Sequence, residues 1–377
     1  MARLPVSVGD KVPLVIERLS SGGAGVGRYE RFVIFVPFSA PADRLVVQIT
    51  EIKKNFAIGQ ILTVETPGPD RITPECPVFG RCGGCSWQHI EYREQLRQKQ
   101  MLVEHILQRS PLLRDAVIEP IVASPRQWHY RNRIQLRTAH DKLGFFARDS
   151  HDIVDIHECA IAEDALNTHL QSLKRQSGPE TFKIELMVDA KGEVRESINQ
   201  PHGEEFGFTQ VNSSQNLMLQ KYVLELFSGL GQSEVLDLYC GHGNFSFPLA
   251  EAYRDAQITG VELNSQAIER ANERLDLHPT PGLKFVVADV AQFLDRYQTA
   301  APLAVLLDPP RIGCERATLT ALTRLKTSKL VYVSCDPATF ARDAEVLASH
   351  DGRKLTRVRP FDMFPHTDHI ELVGLFI

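Results

Sequence analysis

Cys335 sits in KLVYVSCDPATFARD, where a run of strand formers gives way, through Ser334, Asp336 and Pro337, to helix-forming sequence. A thiol at that junction falls at the carboxyl end of a strand, where open α/β sheets gather their ligands. A nearby helix N-terminus lowers a thiol's pKa and makes it a better nucleophile. The plainer alternative is a small buried residue. Toward the C-terminus, PHTDHIELV offers Glu371 as a general base, with His366 or His369 to orient it. Surface histidines and a salt-bridged glutamate are the other reading there. LLDPPRIG places Asp308 before two prolines. Each proline fixes its own φ and restricts the residue before it, so the segment would hold a carboxylate at a set position. A proline-rich turn is the alternative.

A second set of residues suggests a cofactor. In LDLYCGHGNFSFPLA, glycines fall between strand-type and helix-type sequence, which permits a sharp turn and a close backbone approach to a ligand. Glu262 ends QITGVEL, where a carboxylate can accept both hydroxyls of a ribose; Asp289 ends FVVADV, placed for the edge of an adenine. Ligand-competent groups at three successive strand ends favour a nucleoside cofactor over plain tight turns. GHGN is not the GxGxxG phosphate-binding fingerprint, so a hydride-carrying dinucleotide is disfavoured. S-adenosylmethionine carries no phosphate and does not need that loop.

A third set is ECPVFGRCGGCSWQHI, with Cys76, Cys82 and Cys85 spaced C-x5-C-x2-C, and Cys159 in HECAIAE as a fourth thiol. Zinc and an iron–sulfur cluster both suit four thiolates. The spacing is not the C-x3-C-x2-C of radical S-adenosylmethionine enzymes. Seven cysteines, an odd number, and an N-terminus MARLPVSVGDKV without an apolar signal region point to metal or catalytic thiols in the reducing cytoplasm. No apolar run reaches the roughly 18 residues that a membrane helix needs.

These groups need a frame. VPLVIERL, FVIFVPF, RLVVQITEI and AIGQILTVE predict a small OB-like β-barrel over residues 1–65, with SSGGAGVGRYE as a glycine loop. TPGPDRITPECP, with four prolines, reads as a linker. Residues 66–205 mix an amphipathic helix, IEYREQLRQKQMLVEHILQRS, with β-leaning runs, a central α+β domain carrying the cysteines. Over 206–377 strands alternate with helices, predicting a Rossmann-like, parallel, doubly wound sheet. The fold class is therefore multidomain. Net charge is −5, but residues 1–150 carry 21 Lys and Arg against 15 Asp and Glu, whereas the rest carries 21 against 32. A polyanion would meet the first part. Arg28, Tyr29, Arg31 and Phe32 mix cations with rings, as do Trp128, His129, Tyr130, Arg131, Arg133 and Arg137, an arrangement suited to splayed bases.

Taken together, FTQVN, DLYCGHGNFS, GVEL, DPPR, SCDPATFARD and PHTDHIELV resemble, in order and across essentially the whole chain, the RNA 5-methyluridine methyltransferases. His242 departs from that pattern. The resemblance implies that the barrel is a TRAM domain, that Cys76, Cys82, Cys85 and Cys159 ligate a 4Fe–4S cluster, and that Gln210, Tyr239, Asn244, Glu262 and Asp308 bind S-adenosylmethionine. It makes Cys335 the nucleophile and Glu371 the proton acceptor. Uracil C5 is too weak a nucleophile to take a sulfonium methyl unless a thiolate first adds at C6, and these residues suit that chemistry. The barrel-plus-cluster pattern is most similar to the 23S rRNA branch, implying 23S rRNA as substrate. Because the base must leave its stack for Cys335 to reach C6, an unpaired uridine is expected, and the protein is expected to be a monomer. Methylation of tRNA uridine-54 and of an exocyclic amine are the alternative activities. An RNA-binding iron–sulfur module with a degenerate catalytic domain is the non-enzymatic one.

Overall fold

The structure, a computed structural model, describes residues 4–175, 177–189, 191–199, 206–207, 209–299, 303–350 and 352–377. Its contacts divide the chain into two units, Met1–Leu102 with Arg126–Asn199 and Phe364–His369, and Val103–Pro125 with Gln200–Met363 and Ile370–Ile377. The barrel and the central sheet thus share one unit, a grouping different from the chain-order division at 65 and 205.

In the first unit, β1 (Lys11–Leu19) buries every second residue over most of its length, the period of a strand with one covered face. It closes a five-stranded barrel with β2 (Gly25–Tyr29), β3 (Phe32–Val36), β4 (Arg44–Ile52) and β5 (Phe56–Thr66), in the order β1-β2-β3-β5-β4. Leu14, Ile16, Ile34, Val47 and Ile49 fill it. β2 forms within the glycine run expected to be a loop. A Cβ on Gly27 would lie 2.7 Å from the Val15 carbonyl oxygen and 2.7 Å from the Leu14 side chain. Glycine is depleted in strands, so propensity misses a strand that close approach requires. The proline-rich linker is anchored by Arg71, whose guanidinium lies 2.6 Å from the buried Asp43 carboxylate.

After α1 (Tyr92–Gln108), this unit holds a second sheet of order β11-β10-β7-β8-β9. Its strands are β7 (Arg133–Ala139), β8 (Lys142–Phe146), β9 (Ile153–Asp155), β10 (Phe182–Val188) and β11 (Val194–Ile198). Leu166 and Leu170 of α2 (Asp164–Ser172) pack on its Leu136, Ile184 and Leu186.

The second unit is built on an eight-stranded sheet of order β14-β13-β12-β15-β16-β18-β17-β6. Its elements run β6 (Val117–Ile118), α3 (Ser213–Leu226), β12 (Glu234–Leu238), α4 (Ser246–Ala252), β13 (Gln257–Glu262), α5 (Ser265–Leu277), β14 (Leu283–Val287), α6 (Val290–Arg296), β15 (Leu303–Leu307), α7 (Arg316–Arg324), β16 (Lys329–Ser334), α8 (Pro337–Ala348), β17 (Leu355–Phe361) and β18 (Glu371–Phe376). The order reverses between β12 and β15, which makes their carboxyl ends the topological switch point. The sheet is not wholly parallel, because β18 runs antiparallel to both β16 and β17. β17 and β18 are joined by residues 362–370 without an intervening crossover helix, so the second strand must return in the opposite direction. Among the described residues, no helix is long and apolar enough to cross a membrane.

Candidate active site

The reversed strand brings the two candidate reacting groups together. β16 and β18 pair with Leu330 opposite Phe376 and Ser334 opposite Leu372, so one further step of the register sets Cys335 across from Glu371. Glu371 is 3% exposed. Burial and the charge of Asp308 hold its carboxyl well above the usual range. Burial, then the charges of Glu371 and Asp308, push the Cys335 thiol up to about 12, while Arg311 works in the opposite direction. The expected lowering by the helix N-terminus is not found. Asp336 takes that role, its Oδ1 accepting from the Ala338 and Thr339 amides, each at 2.9 Å. The first-turn donors of α8 therefore serve a carboxylate and not the sulfur.

Asp308 closes β15 beside Leu238, whose carbonyl accepts its amide at 3.2 Å. Burial and the charge of Asp237 push Asp308 up to about 8. Asp237 is wholly buried in β12, and burial moves it up to about 7 in spite of the Ser246 hydroxyl on its Oδ2. Its Oδ1 has no hydrogen-bond partner among the described residues. Sequence reasoning passed over this carboxylate; an acid between the apolar residues of VLDL was its signal. Arg311, also passed over, was visible only as the last letter of DPPR.

The glycine turn follows Asp237 directly. Tyr239 adopts a left-handed φ of 64°, and Gly241 and Gly243 follow at 54° and 87°. Glu262 holds this turn, its Oε2 accepting from the Gly241 amide at 3.2 Å and its Oε1 from Asn264 at 2.9 Å. Each carboxylate oxygen keeps a second lone pair for a hydroxyl. Asn244 is tied to α3, where Asn216 and Gln220 donate to its Oδ1 at 2.9 and 3.0 Å. Gln210, half-buried, lies two residues before Asn212, which caps the same helix. The turn and residues 210–212 are thus joined to one helix. Asp289 follows β14 by two residues and caps α6 through the Gln292 amide at 2.9 Å. The groove it lines, about 530 Å³, runs along Gln292, Phe293 and Arg296 and includes none of the other candidate cofactor residues.

In the first unit, Cys76, Cys82, Cys85 and Cys159 are free thiols that line one cavity of about 250 Å³. Among the described residues, no three His, Cys, Asp or Glu converge as the ligands of a single metal ion would. Burial, then the charges of neighbouring thiols, pushes Cys85 up to about 12. The loop continues into Ser86 and Trp87, whose amides donate to the His366 carbonyl at 3.0 and 2.9 Å. His366 is buried and stacked on Trp128 at 3.7 Å, and its ring Nδ1 lies 3.2 Å from the Gln95 amide nitrogen. Tyr130 donates to the Pro365 carbonyl at 3.1 Å and Lys99 to that of Phe364, also at 3.1 Å. His366 is thus part of a pinned backbone, and its Nδ1 faces Gln95. His369 lies in the same segment, with its amide 3.3 Å from the Thr367 hydroxyl.

Several members of the arginine–aromatic run are engaged within the protein. Arg133 is buried and pairs with Glu185 at 2.7 Å, Tyr130 is 2% exposed, and Trp128 faces His366. Arg131 turns its Nε to the Arg133 carbonyl at 2.9 Å and lines the cysteine cavity. In the barrel, Arg28 is paired with Glu17.

Comparison with known proteins places these features in context. Residues 183–377 match the tRNA (Uracil-5-)-methyltransferase family, and residues 5–62 match the TRAM domain. An uncharacterized RNA methyltransferase of Bdellovibrio bacteriovorus is 37% identical over 99% of this chain and 96% of its own length. One from Thermosynechococcus vestitus is 31% identical over 97% and 98%. Among solved structures, the Pyrococcus abyssi tRNA (uracil-54, C5)-methyltransferase in complex with S-adenosyl-L-homocysteine is 26% identical. It aligns with a TM-score of 0.75 over 97% of this chain and 100% of that one.

The raised carboxyls give a pH test. Asp308 moves from a usual value of 3.8 to about 8, so the unfolded chain releases this proton at lower pH than the folded one. Its contribution to stability therefore declines as pH rises from the unfolded value to about 8. Asp308→Asn is expected to raise the melting temperature at about pH 8 and to change it little at about pH 4. Equal shifts at both pH values in a calorimetric scan would show that this carboxyl is not held protonated.

Proposed function

Because the chain belongs to the tRNA (uracil-5-)-methyltransferase family, and is thereby an RNA methyltransferase, we propose that it methylates C5 of an unpaired uridine in RNA, from S-adenosylmethionine, through a covalent bond between Cys335 and C6. The observation that carries this reading is the placement of Cys335 across from Glu371, with Asp308 and Arg311 close enough to act on the thiol.

The residues at the switch point fit the methyl donor. The positive-φ glycine turn allows close approach, Glu262 retains acceptor capacity for ribose hydroxyls, and Asp237 offers an unpartnered buried oxygen beneath the turn. Gln210, Tyr239, Asn244 and Asp308 complete the set, with Asp289 at the adenine edge. Bound there, S-adenosylmethionine supplies an electrophilic methyl group. Cys335 adds to C6 as its thiolate, and C5 of the ring becomes nucleophilic. The thiol's proton passes to ionised Asp308 and on to solvent, which leaves Glu371 ionised for the later step, and Arg311 offsets the repulsion the carboxylates exert. After C5 has been alkylated, Glu371 accepts its proton, and the C6–sulfur bond breaks to restore the double bond. A carboxylate whose charged form is disfavoured by burial is a stronger base than a free one. The target base must leave its stack to reach the thiol, so an unpaired site suits this geometry.

For the RNA, the barrel-plus-cysteine pattern favours 23S rRNA. A second reading, tRNA uridine-54, is supported by the Pyrococcus abyssi enzyme, which aligns with nearly the whole of this chain. The TRAM barrel is the part suited to gripping RNA. The four thiols line one cavity, a donor set that suits a 4Fe–4S cluster. When bound, such a cluster would cross-link the Cys82–Cys85 loop to Cys159 and stiffen the backbone that leads to Ser86 and Trp87.

RNA from a strain lacking this protein, incubated with the enzyme and deuteriomethyl S-adenosylmethionine, should gain labelled 5-methyluridine at one position, mapped by nuclease digestion and mass spectrometry. Cys335→Ala should give none. Label on an exocyclic amine, or full activity in Cys335→Ala, rejects the mechanism, and label in tRNA alone selects the second reading.

Protein purified anaerobically should carry about four iron and four sulfide per chain. Stoichiometric zinc without iron would reject the cluster.

A further inference from the structure

The last two letters of SCDPATFARD, Arg342 and Asp343, lie on α8 away from the reacting groups, and nothing in the mechanism above uses them. Asp343 is wholly buried. Its Oδ2 accepts from the Cys314 amide at 2.8 Å and from the Tyr332 hydroxyl at 2.7 Å, and its Oδ1 accepts from Arg342 Nε at 2.8 Å. Arg342 Nη2 donates in turn to the Ile312 carbonyl at 2.8 Å. Thr339, one helical turn earlier, donates to the Arg311 carbonyl at 3.4 Å. One face of α8, at positions i, i+3 and i+4, thus grips residues 311, 312 and 314.

The turn between them is built for this contact. Gly313 has a φ of 79°, and a Cβ there would come within 2.4 Å of Arg342 Nη2 and 2.5 Å of Asp343 Oδ2. Its amide donates to the Pro310 carbonyl at 2.8 Å. The same helix begins two residues after Cys335, so the sulfur and the turn share one support. Charges from three segments act on the thiol. These are Glu371 at the start of β18, Asp308 and Arg311 in the segment after β15, and Asp336 at the start of α8. Of these, Arg311 is the cation, and its backbone is what α8 fixes.

We propose that Asp343 is a positioning residue for the reaction: by fixing the turn Arg311–Cys314 to the helix that begins beside Cys335, it holds the Arg311 guanidinium at the thiol. This rests on the reading of Cys335 as the nucleophile. A buried carboxylate suits the task because its two oxygens accept from three donors on separate parts of the chain at once.

The test uses full-length protein and follows alkylation of Cys335 by iodoacetamide at about pH 8, resolved by peptide mass spectrometry, since below its pKa a thiol reacts in proportion to its thiolate fraction. Asp343→Asn should slow alkylation about tenfold, equivalent to about one pH unit. Arg311→Gln should do the same, and the double variant should be no slower than either single one, as expected for residues acting through one contact. A purely structural role would loosen the surroundings and speed the reaction. Unchanged or faster alkylation in Asp343→Asn, or additive slowing in the double variant, overturns the proposal. Should Asp343→Asn fail to fold, Arg342→Gln, at a side chain 55% exposed, cuts the tie to Ile312 and must also slow alkylation. Methyl transfer in the soluble variants should lose kcat while KM for RNA holds. Cys335→Ala separates the two claims. Its retained methyl transfer defeats the nucleophile reading, whereas an inactive Cys335→Ala beside a wild-type alkylation rate in Asp343→Asn defeats only the positioning role.

Discussion

The pairing of β18 with β16 is the constraint on which the site depends. Side chains in a ladder alternate faces with a period of two, so a slip of one residue would turn Glu371 to the other face of the sheet. The register is held along the whole strand, because all six residues of β18 are buried and five of them have partners on β16. Apolar packing of Leu372, Val373 and Phe376 thereby sets where a carboxylate stands. The return strand is also what makes the sheet mixed. A purely parallel sheet would bring a strand's N-terminal end to the far edge, away from the carboxyl ends where the ligands gather.

That placement has an electrostatic consequence. Asp237, Asp308 and Glu371 are carboxyls moved upward by burial, and each of the first two also repels a neighbour in the group. Such an arrangement opposes folding at neutral pH, and perturbed groups of this kind gather where a protein moves protons. The Cys335 thiol shares the penalty, and Arg311 is the cation that offsets it. Elsewhere buried charge is matched, as in Asp43 with Arg71 and Arg133 with Glu185, and those pairs serve structure.

Much of this was legible in the chain. Polar or thiol groups at the ends of apolar strand runs drew attention to Glu262, Asp308 and Cys335, because βα turns leave a local signature. β2 was not legible, since Gly25 and Gly27 are required by contacts with residues distant in sequence. Nor was the role of Arg133, because a buried ion pair across β7 and β10 looks in sequence like an exposed cation beside aromatic rings. Asp237 and Asp343 were hidden for a related reason. What distinguishes them is three-dimensional, an unpartnered oxygen in one case and three donors in the other. The four cysteines announced themselves by spacing, but that they line one cavity was visible only in three dimensions.

The central claim is that Cys335 and Glu371 work on opposite ends of one double bond of the same base. Substrate RNA carrying 5-fluorouridine tests it directly, because fluorine at C5 leaves Glu371 no proton to accept and the adduct cannot eliminate. Digestion of the complex with protease and nuclease, followed by tandem mass spectrometry, should yield one cross-linked species, with the modified base bonded to Cys335 and carrying a new methyl group. A base bonded to any other cysteine, or free methylated RNA with no cross-link, would contradict the account.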